Sequence, residues 1–187
     1  MALKATIFKA ELQVSDMDRH YYGQHALTLA RHPSETDERM MVRVLAFALF
    51  ASEGLQFGKG LSTDDEADLY EQDLTGLIQR WIDVGTPDER DLRKACGRAS
   101  QVVVLSYGRT AQTWWNLNLD KLEKLSNLTV LWLPQETTQA LAALAERSMQ
   151  IQCSLQDGVV WFTSGETTLQ VEPVTLMISP GAGRDHA

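Results

Sequence analysis

From Met40 to Ala51 the chain reads Met-Met-Val-Arg-Val-Leu-Ala-Phe-Ala-Leu-Phe-Ala, apolar on every side of a helix and interrupted only by Arg43. A helix with no polar face has nothing to offer water, so this segment is read as a buried central helix. Its start is marked by His32-Pro33-Ser34-Glu35. Pro33 blocks continuation of the preceding strand and Ser34 can cap. Glu35, Asp37 and Glu38 suit the positive N-terminal end. The helix is expected to run to about Glu53, where Gly54 stops it.

A second buried element is Val102-Val-Val-Leu105, a continuous apolar strand of the kind found at interior parallel positions. Ahead of the central helix, residues 3–15 and 19–31 alternate with a period near two around the turn Ser15-Asp16-Met17-Asp18, and read as a long β-hairpin. After a glycine-containing acidic loop over 55–65, Asp68 opens a strand that turns at Asp73–Gly76 and returns as Leu77–Val84. Helices are expected from Asp88 to about Ala99, from Thr110 to Leu125 and from Gln135 to Arg147, with a strand at Leu128–Leu133. Short strands near 150–155, 158–163 and 167–172 follow, and Asp157-Gly158 is a good hairpin turn. The alternation predicts an α/β (mixed α+β) fold: a central mixed sheet flanked by helices, an added N-terminal hairpin and C-terminal strands. One domain over 1–178 and a disordered tail over 179–187 are expected.

Charge narrows the partners. The net charge is −8, so tight non-specific binding to nucleic acid is not expected, although a local basic groove remains compatible with that average. Cys96 and Cys153 show no zinc spacing and read as small buried hydrophobes of a reducing compartment. Lys4 and Lys9 break the N-terminal apolar run, and no stretch reaches a membrane span. The expectation is a cytoplasmic protein with no membrane association.

Three acids stand in a telling order: Glu35 at a helix start, Asp68 opening a hairpin strand and Asp83 near the end of its partner. Paired strands can bring two carboxylates together, and hard oxygen ligands are what Mg²⁺ or Mn²⁺ requires. Such an ion polarises a phosphate and lowers the pKa of bound water. Each acid also has a plain structural reading. Glu35 is favourable in any first helical turn and can pair with Arg39 at i,i+4; Asp68 and Asp83 can be ordinary strand-end acids.

The run Ala67-Asp68-Leu-Tyr, the spacing from Asp68 to Asp83, and Asp83-Val84-Gly85 resemble the core of the PD-(D/E)XK nucleases. That resemblance implies Asp68 and Asp83 as metal carboxylates and Glu35 as the helix acid. Ala67 departs from the motif's proline. Gly85 stands where the motif has its lysine, which places positive charge beside the attacked phosphate. Lys94, on the following helix, is the best replacement, with Arg90 and Arg93 as rivals; the bland reading makes all three a solvated face laced with Asp88, Glu89 and Asp91.

Over nearly its whole length the chain resembles the bacterial YaeQ family. The carrying segments are Met1–Ala10, Leu27–Glu35 with Glu38-Arg-Met-Met41, Trp81–Gly85 with Pro87–Arg90, Lys94-Ala-Cys96, Trp114-Trp115, and Gln156-Asp-Gly158 with Val160-Trp161. The resemblance implies a variant PD-(D/E)XK fold with no settled activity. Two functions are therefore carried forward. One is a Mg²⁺- or Mn²⁺-dependent phosphodiesterase acting on nucleic acid or a nucleotide through Glu35, Asp68, Asp83 and Lys94. A groove made positive by Arg31, Arg39 and Arg43 would serve it. The other is a non-catalytic binding or regulatory protein on the same scaffold. Of the tryptophans, one of Trp114 and Trp115 is expected in the core, and the other can stack on a base or pack.

Overall fold

A computed structural model describes residues 4–59 and 65–182. The chain divides into two compact units, one of Met1–Glu53 with Glu136–Glu172, the other of Gly54–Gln135 continued from Pro173. The mixed α+β class holds, but the strands form two sheets rather than one central sheet.

The first unit carries a five-stranded sheet in the order β10-β9-β8-β1-β2. Strands β1 (Thr6–Asp16) and β2 (Tyr21–Arg31) form the expected hairpin. Strand β8 (Ser148–Gln156) runs parallel to β1, then β9 (Val159–Ser164) and β10 (Thr167–Val171) follow antiparallel. The C-terminal strands therefore extend the N-terminal hairpin into one sheet. Its period is two throughout: Phe8, Ala10, Leu12 and Val14 of β1 point to the core with Met149, Ile151 and Cys153 of β8, while their neighbours face water. The Asp157-Gly158 turn has both residues at positive φ, as the favoured two-residue hairpin turn requires. Asp18, in the neighbouring turn, clamps it by accepting from Asp157 N at 2.7 Å and Gly158 N at 3.0 Å.

Helix α1 (Asp37–Leu49) lies against this sheet, with the His25 ring edge-on to Phe47 at 4.9 Å. Residues Met40 to Ala48 are all buried, as the apolar pattern demanded. The helix begins later than expected. His32 O accepts from Glu35 N at 2.8 Å, closing a turn after Pro33, so Thr36 is the extended residue at the cap. Its hydroxyl accepts from Arg39 N at 3.1 Å, while Ser34 is taken up by the His32 ring. Helix α4 (Gln135–Ala142) is also shorter than expected.

The second unit carries a six-stranded sheet in the order β11-β7-β6-β5-β4-β3. Strands β4 (Leu69–Gln72) and β5 (Ile78–Val84) are the expected second hairpin. Asp73 organises its turn, accepting from Thr75 N at 2.8 Å and Leu77 N at 3.0 Å. Parallel strands β5, β6 (Ala99–Ser106) and β7 (Leu128–Trp132) are joined by α2 (Glu89–Arg98) and α3 (Ala111–Leu122). Leu92 and Ala95 of α2, Trp115 and Leu122 of α3, and Trp81, Val102 and Val104 of the sheet form one apolar cluster. Two edge strands were not foreseen, β3 (Leu55–Phe57) and β11 (Val174–Ile178). β3 falls in the segment read as a loop, of which residues 60–64 lie outside the described residues.

The tail expected to be disordered is anchored in its first part. Ser179 Oγ donates to Leu125 O at 2.5 Å, and Gly181 N donates to Ser126 O at 2.7 Å. Residues 183–187 lie outside the described residues. No helix among the described residues is long and apolar enough to cross a membrane.

Candidate functional site

The hairpin brings Asp68 and Asp83 together. Leu69 pairs with Ile82, so Asp68 and Asp83 stand opposite each other one step further along the ladder. The two strands clasp there through both aspartates. Asp68 Oδ2 accepts from Val84 N at 2.8 Å, and Asp83 Oδ1 accepts a long bond from Asp68 N at 3.4 Å. Asp83 Oδ2 takes the indole N–H of Trp81 at 3.0 Å, two residues back on the same face. The carboxylates thus do what a strand-end acid can do in any hairpin: they accept main-chain and indole N–H groups that pairing leaves over.

Glu35 belongs to the first unit and is nearly inaccessible, with its side chain 1% exposed. Both oxygens are engaged. Arg43 grips them as a fork, Nε to Oε1 and NH2 to Oε2, each at 2.8 Å, and Arg39 NH1 adds a third bond to Oε1 at 3.0 Å. The i,i+4 partner Arg39 was legible in the sequence. Arg43 was read as an interruption of the apolar helix and as a contributor to a basic groove, and it is instead the buried partner of Glu35. Glu35 precedes the helix cap, so an arginine two turns into the helix reaches back to it. A charged residue in an otherwise apolar helix is the signal that would have found it, since a buried cation requires a buried anion.

Lys94 is 57% exposed and lies 3.9 Å from Asp91. Its rivals are also paired with acids, Arg93 with Glu89 and Arg90 with Asp88 at 4.0 Å, so the face of α2 is the laced, solvated surface of the bland reading. Gly85 has φ +98°, a backbone conformation that a lysine rarely adopts, and its N–H donates to Leu105 O at 3.0 Å. A lysine at this position would therefore strain the backbone turn itself. Arg31, expected to add positive potential, is bonded to Asp37. Trp115 is the core tryptophan, and Trp114 is held by a bond from its indole N–H to Pro87 O at 2.8 Å.

A divalent cation needs several hard oxygens free to point at one place. Among the described residues no three His, Cys, Asp or Glu side chains gather in a way that could hold a metal ion. The Asp68–Asp83 pair offers two carboxylates with no third such ligand beside them among the described residues, a poor fit for Mg²⁺ or Mn²⁺. The two cysteines are unpaired by disulfide, and burial pushes the Cys96 thiol up to about 11 and that of Cys153 to about 12. Neither is an activated nucleophile.

The chain has similar proteins in both sequence and fold. Protein YaeQ of Escherichia coli K12 is 45% identical over 172 residues, 91% of this chain and 95% of the relative. Its counterpart in Salmonella typhi is 44% identical over 173 residues, 92% of this chain and 96% of the relative. The crystal structure of YaeQ from Xanthomonas axonopodis pv. citri superposes with a TM-score of 0.90 at 49% identity, covering 93% of this chain and 99% of that one. That from Pseudomonas syringae superposes at 0.89 and 34% identity, covering 94% and 98%. The family model described as YaeQ protein matches residues 1–173, and the chain belongs to the YaeQ family.

Proposed function

We propose that this protein is a non-catalytic binding or regulatory protein, and that the acids expected to carry catalysis serve its structure. One observation carries the reading: both carboxylate oxygens of Glu35 and of Asp83, and Oδ2 of Asp68, accept bonds that hold the chain's own elements. A catalytic carboxylate must keep an oxygen for an ion, a water or a substrate proton. The turn at Gly85 supports the same reading, because a glycine there supplies none of the positive charge that phosphoryl chemistry uses.

A second reading, a divalent-metal-dependent phosphodiesterase acting on nucleic acid or a nucleotide on a PD-(D/E)XK-like core, draws on the direct opposition of Asp68 and Asp83 across two strands. An assay separates the two. Purified protein is incubated with single- and double-stranded DNA and RNA in Mg²⁺ and in Mn²⁺. The binding reading expects no release of nucleotides. Release that disappears in both Asp68→Asn and Asp83→Asn would establish the enzymatic reading instead.

A further inference from the structure

The outer face of the five-stranded sheet holds a row of uncharged hydrogen-bonding side chains. Gln24 of β2 pairs with Gln13 of β1, Gln13 with Gln152 of β8, Gln152 with Thr163 of β9, and Thr163 with Thr168 of β10. Residues directly opposite across a ladder share a face, so this is one continuous row spanning every strand. In the next row Glu11 pairs with Gln150. Between these rows the surface dips into a cleft of about 210 Å³, lined by Glu11, Gln13, Gln24, Gln150, Gln152 and Thr163 among others. None of the four glutamine amides is taken up by a side-chain hydrogen bond within the described residues.

On the other side of the glutamine row lies a row with aromatic rings. Ser15 pairs with Tyr22 and with Ser154, and Ser154 with Trp161. Tyr22 is 63% exposed and Trp161 38% exposed. The face therefore combines amides, hydroxyls and two accessible rings. The residues lining the cleft include no lysine or arginine and one carboxylate, Glu11.

We infer that this cleft binds a neutral, polyhydroxylated ligand, an oligosaccharide chain laid across the strands. Each amide offers a donor and an acceptor together, which matches the paired hydroxyls of a sugar ring. Successive polar groups step along the row at about 4.8 Å, the spacing of neighbouring strands, close to the length of one pyranose in an extended chain. The electron-rich faces of Tyr22 and Trp161 accept the C–H side of a ring. Charge argues against a nucleic-acid strand: phosphates need cations, and the residues lining this cleft include Glu11 and no lysine or arginine. The inference is independent of the fate of Asp68 and Asp83, which lie in the other unit.

The test follows the glutamine side-chain amide signals by ¹H–¹⁵N NMR while maltohexaose, cellohexaose, chitohexaose and an oligouridylate are added in turn. At least one of the three neutral oligosaccharides should shift the amides of Gln13 and Gln152. Gln13→Ala with Gln152→Ala should weaken that binding about tenfold or more, the loss of two or more hydrogen bonds, with the circular dichroism unchanged. Three neutral oligosaccharides without effect would overturn the inference, as would binding that survives the double substitution. So would oligouridylate taking the cleft in their place.

Discussion

Replacing Arg43 with methionine removes the cation that grips Glu35, a deeply buried acid of the first unit. The side chains of Glu35 and Arg43 are 1% and 3% exposed, and Arg43 supplies two of the three bonds to the carboxylate. Breaking a buried pair from one side costs roughly 3–5 kcal/mol, because the other charge is left without compensation. Arg39 keeps its bond and has 19% exposure, which places the loss near the lower bound, about 3 kcal/mol. For a chain of this size that is a fall of roughly 6–12 °C in Tm. Urea unfolding followed by tryptophan fluorescence and calorimetric melting would both measure it. Adding Glu35→Gln to Arg43→Met removes the stranded charge and should recover most of the loss, giving a coupling energy of about 2 kcal/mol between the sites. An Arg43→Met protein within about 1 kcal/mol of wild type, or additive effects in the double variant, would refute the assignment of Glu35 to structure.

Other expectations follow from particular atoms. A Cβ at Gly58 would lie 1.9 Å from Ala67 O, so Gly58→Ala should cost about 1–3 kcal/mol and speed hydrogen exchange at Gly58 N, which bonds Asp68 O at 2.8 Å. Gly97, in α2 with open space around it, is the control, and Gly97→Ala should stabilise by about 0.5–1 kcal/mol in the same unfolding assay. Burial holds His25 below its ordinary pKa, its ring bonded to the Tyr21 hydroxyl at 2.8 Å and edge-on to Phe47. The unfolded chain then binds the proton more readily, so His25 contributes stability that is full above about pH 6.5 and is lost as pH falls; His25→Gln should flatten that part of the stability profile. With thiols raised to about 11 and about 12, Cys96 and Cys153 should label slowly at pH 8 in the folded protein, Cys153 the slower. Both should label rapidly in denaturant, and fast labelling of native Cys153 would contradict its burial.

The elements that sequence displayed are those whose determinants are local. The β1–β2 hairpin shows in its period of two, the Asp157-Gly158 turn in its two positive φ residues, and β6 in its unbroken valines. What stayed hidden is non-local. The parallel pairing of Lys9 with Ser148, which merges the N-terminal hairpin with the C-terminal strands, has no signature in either segment alone. The three-residue β3 is too short to show a period, and it is defined by its pairing with β4. At the candidate site the opposition of Asp68 and Asp83 was legible because hairpin register fixes it. Their engagement with Val84 N and the Trp81 indole was not, since spacing reports which carboxylates meet and says nothing of the donors that occupy them. Gly85 was legible as a departure from the motif that the sequence resembled, and the structure adds the backbone reason, a φ of +98°.

The most direct test of the account is a calorimetric titration of Mn²⁺ into wild type and Asp83→Asn at neutral pH, alone and with a phosphorothioate oligonucleotide present. If the aspartates serve the hairpin, neither protein shows saturable binding and the two traces coincide. Saturable binding by the wild type that vanishes in Asp83→Asn would contradict the account and make Asp68 and Asp83 a metal site.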